Sequence, residues 1–111
     1  MAEKTIELDE IVSRYCRELA RNGIHVTEVF LYGSYASGNQ SEGSDIDLII
    51  ISPDLDKYGM LERLELMGIV AARILEPVEA FGFTPEEFKK ENLTLFWKDV
   101  IEQGVVSLKC C

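Results

Sequence analysis

The seven residues from Asp45 to Ile51, DIDLIII, constrain this chain more than any other stretch. Their β-branched content predicts a strand. Strand side chains alternate between faces, so Asp45, Asp47, Ile49 and Ile51 share one side and Ile46, Leu48 and Ile50 the other. Two carboxylates, roughly 7 Å apart at their Cα atoms, are therefore held on a face that continues as apolar. Like charges on such a face are disfavoured unless something offsets them. No side chain close in sequence can do so: between Arg21 and Lys57 there is no Lys or Arg, while Glu28, Glu42, Asp45, Asp47, Asp54 and Asp56 are all acidic. A divalent cation would offset them, and hard oxygen ligands suit Mg²⁺ or Mn²⁺, whose coordination is commonly completed by water and substrate phosphates.

Ahead of this strand lies GSYASGNQSEGS, residues 33–44, with four serines and three glycines. Such a segment turns tightly or presents bare backbone amides but cannot build core. It predicts a loop with a helical turn after Gly33. Backbone N–H groups there, the Ser34 hydroxyl and a following helix N-terminus could hold phosphates.

Around this centre the periodicity alternates. Leu8, Ile11, Val12, Tyr15 and Leu19 predict an amphipathic helix over 4–22, stopped by Asn22-Gly23. Residues 25–32 read as a strand. From Gly59 to Leu75 the apolar positions predict a well-buried helix. PVEAFGF reads as a strand with Pro77 at its first residue, and Thr84-Pro85-Glu86-Glu87 combines the signals of a helix start. Leu93, Phe96, Trp97, Val100 and Ile101 make a last helical face, closed by Gly104 before a short VVSL. The result is an α+β fold: a small mixed sheet covered by helices.

At 111 residues the chain is expected to be a single domain, 1–111, and 47% hydrophobic with 28% charged residues fits a globular core. Eleven basic against twenty acidic residues give a net charge of −9, which disfavours gripping nucleic acid through its phosphates. The longest apolar run, Leu66 to Ala72, is far short of the ~20 residues that span a bilayer, and the acidic start is unlike a signal peptide, so a cytoplasmic protein is expected. Three cysteines, Cys16, Cys110 and Cys111, imply no disulfide framework.

Other phosphate-handling motifs fail. Gly33 and Gly38 have P-loop spacing, but Asn39-Gln40 stands where Lys-Ser/Thr is needed, and neither G-x-G-x-x-G nor G-x-S-x-G occurs.

Gly33-Ser34, ten residues and then Asp45-Ile46-Asp47 resembles the signature of the nucleotidyltransferase superfamily related to DNA polymerase β, in its minimal single-domain branch. The resemblance implies that Gly33 and Ser34 bind the triphosphate of ATP. It also implies that Asp45 and Asp47 ligate Mg²⁺, with two ions expected and Mn²⁺ possible, and that a third carboxylate on the next strand completes the catalytic and metal site. Glu79 fills that role, with Glu76 as its rival. Two positions depart from the family pattern: the third carboxylate is Glu rather than the commoner Asp, and Ser37 stands where many members have Arg.

Minimal members resemble antitoxins that work beside a HEPN-domain toxin and transfer AMP to its tyrosine. With no added acceptor-binding domain expected, the acceptor must be met by a partner surface or a homodimer. The implied function is therefore a protein adenylyltransferase acting as antitoxin. A non-catalytic antitoxin or complex subunit that masks its partner is the alternative, and an antibiotic nucleotidyltransferase subunit a third.

Overall fold

The computed structural model describes residues 2–38 and 45–109. In chain order it contains α1 (Ala2–Arg21), β1 (Glu28–Tyr32), α2 (Ser34–Ser37), β2 (Ile46–Ile51), α3 (Met60–Ile74), β3 (Val78–Phe83), α4 (Leu95–Gln103) and β4 (Val106–Leu108), with 3-10 turns at Pro53–Lys57 and Lys90–Asn92. The second half of the glycine-serine segment, 39–44, and the tail at 110–111 lie outside the described residues. The strands form one mixed sheet ordered β3-β2-β1-β4: β1 runs antiparallel to β2 and β4, and β3 parallel to β2. Helix α3 supplies the crossover that the parallel pair requires. The fold is α+β, as the sequence implies.

Alternation along β2 explains its unbroken apolar run. Ile46, Leu48 and Ile50 point into a core shared with Ile11, Val12, Tyr15 and Leu19 of α1 and Met67 and Val70 of α3. Ile49 and Ile51 point the other way, into a core with Phe83 and Leu93, walled by Phe30, Phe81, Phe88 and Trp97. A strand covered on both faces needs apolar residues at every position, and each fully buried isoleucine contributes about 2 kcal/mol. The Tyr15 hydroxyl donates to the Met67 carbonyl at 2.9 Å, tying α1 to α3 across the first core. Gly82 lets β3 approach closely: an added Cβ would fall 2.7 Å from Leu55 Cδ1 and 2.9 Å from Met67 Cε.

The structure departs from the sequence reading at four places. The strand expected over 25–32 starts only at Glu28, because the His25 backbone is taken up elsewhere: its N–H donates to Asp54 Oδ2 at 2.8 Å and its carbonyl accepts from Ser52 Oγ at 2.7 Å. Thr84 and Glu87 do make reciprocal capping bonds, of 3.2 and 2.9 Å, yet the helix they announce stops after one turn. Glu87 is drawn to the buried Arg63 guanidinium at 2.6 and 3.1 Å, while Phe88 stacks on Phe30. Helix α3 is less buried than expected. Arg63, Met67, Val70, Ala71 and Ile74 face inward, whereas Leu61, Leu64, Gly68, Ala72 and Leu75 form a second stripe at helical spacing that faces outward. Finally, Cys16 is disulfide-bonded, which the odd cysteine count did not reveal. Among the described residues no helix is long and apolar enough to cross a membrane.

Candidate active site

Strand register builds the site. In the antiparallel pair Tyr32 of β1 lies opposite Asp47 of β2, and in the parallel pair Asp47 lies opposite Glu79 of β3. Tyr32, Asp47 and Glu79 thus form a row across three strands. Two residues along, the same face carries Phe30, Ile49 and Phe81, so it turns from polar to apolar within one pleat. Trp97 of α4 closes the apolar side, with its ring edge-on to Tyr32 at 5.5 Å, Phe81 at 5.2 Å and Phe83 at 5.2 Å between centroids.

Gly33 follows Tyr32 directly, at φ 75° and ψ −150°, a conformation essentially restricted to glycine. An added Cβ would collide with the Asp47 carboxylate. The loop backbone therefore lies against Asp47 because this residue has no side chain. The Gly33 carbonyl accepts from the N–H groups of Ala36 and Ser37, both at 3.1 Å, which winds the single turn of α2. Ser34 opens that turn and is half-buried. With four residues α2 is too short to carry an appreciable helix dipole, so what the loop offers is close-lying backbone and the Ser34 hydroxyl.

Asp45 stands exposed just before β2, Asp47 is half-buried and Glu79 is exposed on β3. Burial pushes the Asp47 carboxyl above the usual carboxylate range, and the charges of Glu79 and Asp45 push it further. The Tyr32 hydroxyl is likewise raised, first by burial and then by Asp47 and Glu79. Among the described residues no salt bridge reaches Asp45, Asp47 or Glu79. An all-oxygen, like-charged, uncompensated donor set fits a hard divalent cation. Among the described residues no group of three His, Cys, Asp or Glu side chains converges tightly enough to hold an ion by itself.

Glu76, the rival third carboxylate, is engaged elsewhere. It pairs with Arg14 of α1 at 3.1 Å, and the same guanidinium also donates to the Ile74 carbonyl at 2.6 Å. The structure brings Gly33, Asp47 and Glu79 together with Asp45 beside them, and leaves Glu76 as a tie between α1 and the end of α3. Sequence reasoning missed Tyr32, whose place in the row follows from strand register alone.

The nucleotidyltransferase domain family matches residues 10–105, nearly the whole chain. The chain belongs to that family. This nucleotidyltransferase domain is similar to "Putative protein adenylyltransferase MJ0604" of Methanocaldococcus jannaschii, with 33% identity over 85 residues covering 73% of this chain and 77% of the relative. Two solved structures share its fold. One, a "putative nucleotidyltransferase from Sulfolobus solfataricus", superposes with a TM-score of 0.59 at 21% identity over 78% of this chain and 75% of that one. The other, a toxin-antitoxin structure with AMP-PNP, gives a TM-score of 0.58 at 20% identity over 89% and 73%.

Proposed function

We propose that this nucleotidyltransferase domain transfers AMP from ATP to a tyrosine hydroxyl of a HEPN-domain toxin, releasing pyrophosphate and silencing the toxin. The observation that carries the reading is the convergence of Gly33, Asp47 and Glu79: a side-chain-free loop pressed against one carboxylate, with a second carboxylate across the strand pair. A row of uncompensated acids has no value to a fold, and perturbed groups of this kind mark functional sites.

Gly33 and Ser34 hold the triphosphate through backbone and hydroxyl, while Asp45, Asp47 and Glu79 supply the oxygens that Mg²⁺ or Mn²⁺ would bind. When bound, such ions neutralise the phosphate oxygens and stabilise the attacking and leaving oxygens of an in-line displacement. The acceptor oxygen forms a bond to the α-phosphorus, and the bond from that phosphorus to the bridging oxygen breaks. Pyrophosphate takes the bonding electrons. In this reading Glu79, exposed at one end of the row, receives the hydroxyl proton, and Trp97 with Phe81 walls the apolar side of the same face.

A protein acceptor is supported by a groove of about 640 Å³ along α4, lined by Phe88, Leu93, Leu95 and Ile101 with Lys90, Lys98, Asp99 and Glu102 as its charged residues. It lies on the same side of the sheet as the row, and Leu95 is 83% exposed. The similarity to a protein named as an adenylyltransferase and the toxin-antitoxin fold neighbour support the same reading, and a cytoplasmic location is part of this proposal. The second reading, an antitoxin that masks its partner without chemistry, draws on the outward apolar stripe of α3, which is on the far side of the sheet from the row.

The test is label transfer from [α-³²P]ATP with Mg²⁺, with the protein alone and with the product of the neighbouring gene. An Asp45→Asn, Asp47→Asn double variant is the control. Label on the partner that disappears with the variant supports the transferase. Tight complex formation without label supports the masking protein instead.

A further inference from the structure

Gly33 borders a second space. A cavity of about 190 Å³ is lined by Tyr32, Gly33, Ala36 and Ser37 on one side and by Val100, Gln103 and Gly104, at the C-terminal end of α4, on the other. None of the three carboxylates lines it. Its volume is below the ~300–1,000 Å³ of a pocket that encloses a whole drug-sized ligand, so it suits one ring-sized portion of a larger molecule. The Tyr32 ring, steadied by Trp97, and Val100 give it apolar walls. Its backbone polar groups are partly committed already: the Gly104 N–H donates to the Ile101 carbonyl, and the Gly33 carbonyl accepts from Ala36 and Ser37.

Of the polar side chains that line the cavity, the Ser37 hydroxyl donates to the Ser34 carbonyl at 3.3 Å, whereas Gln103 presents a donor and an acceptor side by side on one planar amide. Its Nε2 donates to Asp99 Oδ2 at 2.9 Å, one turn earlier on α4. A carboxylate only accepts, so Asp99 fixes which end of the amide is nitrogen and leaves Oε1 and the second N–H for a ligand.

We infer that this cavity receives the base of the nucleotide and that Gln103, oriented by Asp99, reads the amino edge of adenine. The inference rests on the proposed nucleotide site at Gly33 and Ser34. A glutamine amide pairs with adenine through two bonds, accepting from the exocyclic amino group and donating to the neighbouring ring nitrogen. Guanine carries a carbonyl oxygen where adenine carries that amino group, so Oε1 would face another acceptor. Turning the amide over would repair this contact and break the bond to Asp99. Asp99 is thus a positioning residue for base selection.

Titration calorimetry of the full chain with ATP and with GTP, each with Mg²⁺, tests this. The native protein should bind ATP about tenfold more tightly than GTP. Gln103→Leu should bring the two within about twofold of each other through a loss on ATP. Asp99→Asn, whose amide can also donate, should narrow the gap through a gain on GTP. Both side chains belong to exposed residues, so the variants should melt with the native protein, which a thermal scan verifies. Equal affinities in the native protein, or a preference that survives Gln103→Leu, would overturn the inference while leaving nucleotide binding intact. Failure of both nucleotides to bind would overturn the nucleotidyltransferase reading beneath it, and this assignment with it.

Discussion

Asp47 stands directly opposite Glu79 in the parallel pairing of β2 with β3, and the two carboxylates share a face with no cation among the described residues to separate them. A sheet built for stability alone would place opposite charges or apolar side chains in that register. The arrangement therefore costs the fold free energy, and the cost becomes visible when either the charge or its neutralising partner is changed.

Asp47→Asn removes one of the crowded charges at nearly constant shape. The metal-free variant is expected to melt at or above the temperature of the native protein, the gain being below about 1 kcal/mol because the site is partly open to solvent. Mg²⁺ or Mn²⁺ should raise the melting temperature of the native protein by mass action and leave the variant nearly unmoved. Label transfer should vanish in the variant. A thermal-shift series against metal concentration checks the first two, and an unchanged metal response in the variant would remove Asp47 from the ligand set.

Gly33→Ala carries two penalties of different kinds. The backbone sits in a region that costs a non-glycine residue about 1–3 kcal/mol, which denaturant unfolding measures. The new Cβ also displaces the Asp47 carboxylate or the loop. A shift of about 1 Å in such a group costs of the order of a hundredfold in rate, so kcat/KM for transfer should fall by at least that much. A variant that lost stability but kept its rate would show that loop and carboxylate act independently.

Glu79 and Glu76 lie three residues apart and should respond oppositely. Glu79→Gln removes the proposed proton acceptor and should lower transfer by about 10²–10⁴, with the melting temperature held or slightly raised. Glu76→Gln breaks a partly exposed pair with Arg14, worth less than about 1 kcal/mol, and should leave transfer unaffected. Inverted results would exchange their roles.

The parts legible in the sequence are those encoded locally. The period of α1, the Gly33 turn and the place of Asp47 near the start of an apolar strand each follow from neighbours a few residues apart. What was hidden depends on long-range pairing. The position of Tyr32 beside Asp47 is a matter of antiparallel register, and the stop after Thr84–Glu87 depends on Arg63, more than twenty residues earlier, capturing Glu87. The outward stripe of α3 is hidden for a further reason. Leu61 and Leu64 have the same composition and spacing as core residues, and only the position of the sheet decides which stripe is covered.

The Arg63–Glu87 pair gives the fold a pH dependence separate from that of the site. The Arg63 side chain is 6% exposed and is held by the carbonyls of Tyr58 and Gly82 as well as by Glu87, whose own side chain is 43% exposed. Hydrogen bonding from Arg63, reinforced by the Thr84 N–H, holds the Glu87 carboxyl below the usual glutamate range. A carboxylate with a lowered pKa in the folded state contributes stability that is fully present above its unfolded pKa, near ~4.3, and is lost as pH falls through the lower folded value. Glu87→Gln should therefore cost about 1–2 kcal/mol at pH 7, discounted for the exposed side of the pair. The difference from the native protein should stay level down to about pH 5 and close below about pH 4. Urea unfolding of both proteins across that range measures it, and a difference that did not change with pH would mean that Glu87 acts through its hydrogen bonds alone and not through its charge.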